Sequence, residues 1–130
     1  MDKEGDSFME WHIEYRQDVG IISTEITGIV TLEEVKKASI EIIELSNQTD
    51  VGKFITRFYD ISQEITLLEI YGLPQIMLGL GMKYSDRIAV IYPMNSPLKH
   101  LFNFFDNRCF LSSVNIKVFS DFDTGYRWLS

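Results

Sequence analysis

The apolar positions along this chain switch between two periods, and each switch marks an element. Trp11, Ile13 and Tyr15 alternate with His12, Glu14 and Arg16, the period of two that lays one row of side chains on a core and the other in water, so this stretch predicts a strand. Asp18 and Gly20 surround a short turn, and the β-branched run from Ile21 to Ile26 predicts the returning strand of a hairpin. From Thr31 the spacing becomes helical. Thr31 followed by Glu34 fits a capping box, in which hydroxyl and carboxylate satisfy the first free N–H groups, and the helix is expected to run to about Asn47. Val35, Ala38, Ile42 and Leu45 share the stripe that should face a sheet, while Ile40 and Ile43 lie off it.

The same exchange of periods continues to the C-terminus. Lys53 to Tyr59 predicts a strand, and Thr66 with Glu69 repeats the capping-box signature before a second helix that Pro74 is expected to kink or divide. RIAVIYP at 87 to 93 is apolar at consecutive positions, as suits a strand covered on both faces at the centre of a parallel sheet. Asn95, Ser96 and Pro97 announce a third helix, with Ser96 as cap, Pro97 in the first turn, and Leu98, Leu101, Phe102, Phe105 and Cys109 as the buried stripe. Ile116 to Phe119 predicts the last strand, and Asp121 caps a short helix that docks through Phe122, Tyr126 and Leu129. The order ββαβαβαβα predicts an α/β fold: a mostly parallel five-stranded sheet with an antiparallel N-terminal hairpin and four helices. If successive crossovers move the same way along the sheet, their constant right hand places the helices on one face and leaves the other in need of a cover.

Composition narrows the function classes. The chain has 130 residues, a length that suits one domain; residues 10–130 are expected to form it, with a polar, frayed N-terminus at 1–9. A net charge of −7 repels phosphate backbones, and no basic stripe offsets it, so nucleic acid is not an expected partner. The single cysteine, Cys109, forms no internal disulfide and suits a reducing compartment, so a cytoplasmic location is expected. The apolar stretch Ile65 to Met82 is interrupted by Glu69, Pro74, Gln75 and glycines, which argues against membrane spanning.

Three segments, ITGIVTLEEV at 26–35, SDRIAVIYP at 85–93 and IKVFSDFDTGYRWL at 116–129, together with the element order, resemble the STAS-like domains (sulfate transporter and anti-sigma-factor antagonist, or SpoIIAA-like), in particular a branch of small stand-alone bacterial proteins. The resemblance spans nearly the whole chain and implies a SpoIIAA-like fold and a regulatory module that binds a partner protein or kinase. In that family a serine at the start of the second helix is phosphorylated. Thr66 occupies the corresponding cap here, with Asp60, Ile61 and Ser62 at the end of the preceding strand, so Thr66 and Ser62 are the phosphoacceptor candidates that the resemblance implies. The family's Asp-Ser-Ser-Gly signature is absent, and a phosphate dianion at Thr66 would lie beside Glu64 and Glu69, which favours reading Thr66 as a plain helix cap. The lipid-binding CRAL-TRIO domains are a more distant likeness.

Candidate chemistry is sparse. His12 falls on the outward row of an edge strand and His100 on a helix among phenylalanines, so neither reads as a general base. Two separated histidines and one cysteine supply no first shell, and neither a metal nor a cofactor is expected. An enzyme would require Asp60, Tyr59 and His100 to converge. Cys109 reads as a buried structural thiol. What remains is apolar surface: the second helix carries Leu67, Leu68, Ile70, Tyr71, Leu73, Ile76, Met77, Leu78 and Leu80 around most of its circumference, and Ile40, Ile43 and Phe104 lie off their helices' core stripes. Two readings follow. One is a non-enzymatic interaction module, homodimeric through a surface that includes Tyr59, Asp60, Ile40, Ile43, Leu78 and Phe104. The other is a carrier or sensor of a small apolar molecule or lipid, held between the second and third helices and the sheet.

Overall fold

The alternation of Trp11, Ile13 and Tyr15 becomes β1 (Glu10–Arg16), whose residues are half-buried and exposed in turn. A tight turn, in which Gly20 N–H donates to Arg16 O at 2.9 Å, returns the chain as β2 (Ile21–Val30). The remaining elements in this computed structural model, which describes residues 8–92 and 96–130, are α1 (Leu32–Thr49), β3 (Lys53–Gln63), α2 (Leu67–Leu80), β4 (Arg87–Ile91), α3 (Lys99–Leu111), β5 (Asn115–Phe119) and α4 (Phe122–Leu129). The fold is α/β in the order ββαβαβαβα. Most of the segment expected to fray, and Pro93 and Asn95, lie outside the described residues. Met9 does not: at 3% exposure it is a core residue beside Ile26 and Val30, so the packed domain begins before residue 10.

The sheet runs β1-β2-β3-β4-β5, with β1 antiparallel to β2 and every other pair parallel. Every crossover therefore steps in one direction, and the right-handed rule places α1, α2 and α3 on one face. The other face finds its cover in α4. Leaving the edge strand β5, α4 turns back beneath β3, β4 and β5 and buries Leu129 against Ile55, Ala89 and Ile91. Gly125 lies in the middle of α4 because a Cβ there would meet Ile91 Cδ1 at 2.5 Å; without one the helix lies close on the sheet. Arg87 fastens its end, with Nη2 donating to Trp128 O at 2.6 Å and the guanidinium 4.5 Å over the indole. Among the described residues no helix covers the part of this face under β1 and the far end of β2, which carries Glu10, His12, Glu14 and Glu25.

Three helix starts follow their sequence signals. Thr31 accepts from Glu34 N–H at 3.2 Å, although the Glu34 carboxylate pairs with Lys37 at 3.2 Å. Thr66 and Glu69 close the full box, Glu69 N–H donating to Thr66 Oγ1 at 3.1 Å and Thr66 N–H to Glu69 Oε1 at 2.9 Å. Asp121 accepts from Thr124 N–H at 2.9 Å, and these bonds hold its carboxyl below the usual range. Other expectations need correction. Pro74 does not divide α2, which runs unbroken for 14 residues. The middle strand is β3; β4 is second from the edge, yet Ala89, Val90 and Ile91 are all buried because helices cover both its faces. Helix α3 starts at Lys99, later than Ser96 as cap predicts, although Ser96 Oγ does accept the Leu98 N–H, at 3.4 Å, an N–H that the Tyr92 hydroxyl also accepts at 3.0 Å.

Gly28 fixes how the chain enters the domain. It has φ +94°, and a Cβ would overlap the carbonyl oxygen of Phe8, whose segment crosses β2 there and delivers Met9 to the core. Gly28→Ala is expected to lower stability by more than Gly20→Ala, which meets open space at φ +69° and costs only the backbone term of about 1 kcal/mol. Urea unfolding of the two variants checks the order.

Candidate functional site

The helix layer is an arch. At one side α1 lies over β1 and β2, where Trp11 Nε1 donates to Glu41 Oε1 at 3.2 Å. At the other, α3 packs on β5, tied by Val118 N–H donating to Asp106 Oδ1 at 2.8 Å. Between them the backbone of α2 lies closest to α1 and α3, none of its Cα atoms coming within 8 Å of a strand Cα, while its side chains reach the sheet: Ile70 shares a buried cluster with Ile26 and Val30, and Met77 and Leu78 pack against the cluster of Val90 and Ile116. A helix resting directly on a sheet has a Cα cylinder of about 2.3 Å radius around an axis roughly 10 Å away, which brings its lower Cα atoms inside that limit. Helix α2 is therefore raised. It is tied sideways: Arg108 Nε donates to Tyr71 O at 2.8 Å with its guanidinium 3.9 Å over the Tyr71 ring, and Gly81 at the other end abuts Ile43.

Beneath α2 is a cavity of about 160 Å³. Val35, Ala38 and Ile42 wall it from α1; Ile70, Leu73 and Met77 roof it; Phe54, Phe58 and Val90 floor it; and Leu101, Phe102 and Phe105 close the α3 side. Among the described residues no Lys, Arg or His takes part, and the polar contributors are Ser39, Thr56, Gln63 and Asp86. Two of these are occupied elsewhere: the Gln63 amide donates to Ile65 O, and Asp86 Oδ2 accepts from Lys83 N–H at 2.9 Å, locking the turn before β4. Apolar cavities of this size stay dry and accept guests of the size of benzene.

A bulge in β3 keeps the cavity apolar. The register with β2 shifts between Ile26↔Phe58 and Gly28↔Ile61, so Tyr59 and Asp60 together oppose one residue of β2, and Asp60 takes the left-handed conformation at φ +51°. With strict alternation Asp60 would follow Phe58 inward. The extra residue turns Asp60 out and returns Ile61 to the cavity wall.

The residues singled out from the sequence fall in different places. Thr66 and Ser62 are exposed at the start of α2 and the end of β3, and the Thr66 hydroxyl is engaged in its cap, worth about 1 kcal/mol. Tyr59 lies on the opposite face of the sheet and donates to Glu25 at 2.9 Å, a bond that raises its pKa. Tyr59 thus does not meet His100, which is exposed on α3. Of the four apolar candidates Ile40 alone is exposed, at 42%; Ile43 belongs to the cavity wall, Leu78 packs near Met82 and Cys109, and Phe104 packs beneath the start of α2. The exposed apolar side of α2 is instead Leu67, Leu68 and Tyr71, with Leu68 at 81%. The all-round apolar character of α2 was the sequence signal for both its inner and outer faces; nothing in the sequence marked Gln63 or Asp86.

Among the described residues no three of His, Cys, Asp and Glu gather as a metal site, and no helix is long and apolar enough to cross a membrane. Cys109 is completely buried, and burial, reinforced by Asp106 and only partly offset by Arg108, pushes its thiol from 9.0 up to about 12. The unfolded chain releases this proton near 9.0 while the folded chain holds it toward 12, so the thiol's contribution to stability is complete below 9.0 and is lost as pH rises through that window. The urea midpoint is expected to fall between pH 9 and about 12, less steeply in Cys109→Ala, and a thiol reagent should label the native chain only at the rate of unfolding. Neither the family models nor the curated proteins searched match this chain, so the functional reading rests on the geometry of the arch and its cavity.

Proposed function

We propose that this protein is a non-catalytic carrier or sensor that holds a small apolar molecule beneath α2. The cavity carries this reading. A domain of this size has little stability to spare for a void of about 160 Å³, and a guest that fills it returns the lost dispersion contacts. The position of α2 supports the same reading, because a helix whose Cα atoms all lie beyond 8 Å from the strands leaves room above the sheet for a guest. Ala38→Leu, which grows a side chain into the cavity from α1, tests it. The variant is expected to raise the unfolding free energy of the empty protein by about 1–2 kcal/mol and to abolish the rise in Tm that toluene gives the wild type. A wild type whose Tm is indifferent to toluene, and whose mass in native spectrometry is that of the bare chain, would sink the proposal.

A second reading is the interaction module implied by the STAS-like resemblance, and the exposed Leu67, Leu68 and Tyr71 favour it. Large apolar side chains grouped on one helix face are unusual on a monomer's surface, and a twofold pairing of α2 with its copy is their simplest use. On this reading light scattering across a dilution series gives a dimer that Leu68→Asp converts to monomer; wild type that is monomeric throughout excludes it. Leu68 suits the test better than Ile43 or Leu78, whose replacement by Asp would bury a charge.

A further inference from the structure

Within the ligand-binding reading, on which this rests, the cavity also restricts the charge and size of its occupant. We infer that the site selects an uncharged, compact molecule, a hydrocarbon body with at most one hydroxyl or carbonyl group, and rejects fatty-acid carboxylates. Among the described residues the wall holds no Lys, Arg or His, and the one carboxylate lining it is that of Asp86. A guest carboxylate would lose its water without gaining a counter-ion and would share the chamber with a like charge, both of which oppose binding. An ammonium guest gains little more, because Asp86 is committed to the turn through Lys83 N–H and lies against Gly52. A neutral hydroxyl is different. Ser39 and Thr56 are hydroxyl-bearing residues of a mostly apolar wall, and a hydroxyl both donates and accepts, so one such pairing satisfies the guest without a net charge.

Size adds a second restriction. About 160 Å³ corresponds to a guest of roughly six to ten non-hydrogen atoms, by comparison with the benzene-sized occupants of similar cavities. The bulge at Asp60 bears on the same point: it removes from the wall the one carboxylate that regular alternation would have put there, replacing it with Ile61.

Octan-1-ol, octanoate and octylamine share a chain length and differ in head-group charge at pH 7, so their affinities for the wild-type chain by isothermal titration calorimetry test the inference, with toluene as reference. Octan-1-ol is expected to bind at least about tenfold more tightly than either ion, the direction that uncompensated burial of a charge dictates, and Ala38→Leu should weaken it together with toluene. Octanoate or octylamine binding as tightly as octan-1-ol, while toluene binds, would overturn the inference and leave the cavity reading intact. Failure of all four, toluene included, would remove both.

Discussion

A helix laid on a sheet ordinarily anchors itself by driving its apolar stripe between the side chains of the strands below. Helix α2 stands higher: its backbone is closest to α1 and α3, and it meets the strands beneath through side chains such as Ile70 and Met77 around a void. Its two ties differ in kind, a charged guanidinium stacked on Tyr71 toward α3 and a close apolar contact between Gly81 and Ile43 toward α1. Everything distinctive about the site follows. The void exists because the span is raised, its walls are apolar because α1 and α3 still turn their core stripes inward, and α2 is apolar on its inner side although its backbone stands off the sheet.

The two faces of the sheet solve their burial problem differently. On the α4 side a glycine lets an eight-residue helix lie close enough to bury Leu129 completely, and two arginines, Arg57 over Phe122 and Arg87 over Trp128, cover its aromatic flank. Packing there is tight where α4 lies, and among the described residues no helix covers the part under β1. On the other side three helices cover more strands with less contact. A domain that packs one face by close approach and the other by bridging concentrates its compliance in the bridge, since interiors at normal density resist deformation and voids do not.

Most of the fold was legible because its signals are local. The hairpin is written in the alternation of Trp11, Ile13 and Tyr15, and the helix starts in Thr31, Thr66 and Asp121, each of which bonds a backbone N–H three residues on. What the sequence left undetermined depends on distant partners. At the start of α3 the Leu98 N–H donates to a hydroxyl six residues upstream, on Tyr92. The inward turn of Ile61 depends on a bulge, which shifts the period of two without leaving a mark in composition. The apolar circumference of α2 correctly announced burial on more than one side, but whether the second side meets another chain, a guest or water is decided by the height of the helix above the sheet, a quantity no periodicity encodes. Ile43 was misplaced for the same reason: its partner is the end of α2, and not a strand.

Because the strands lie in space in the order in which they occur in the chain, the sheet is able to grow by addition at one edge, each newly made parallel strand pairing with its immediate predecessor after closing a crossover that holds one helix. Helices α1 and α4 find their docking surfaces on strands at once. The segment of α2 is the exception, since half of its support is α3, which comes after β4 in the chain. During synthesis the α3 wall thus arrives after both the roof helix and the floor strands, and α2 gains its second lateral support only then.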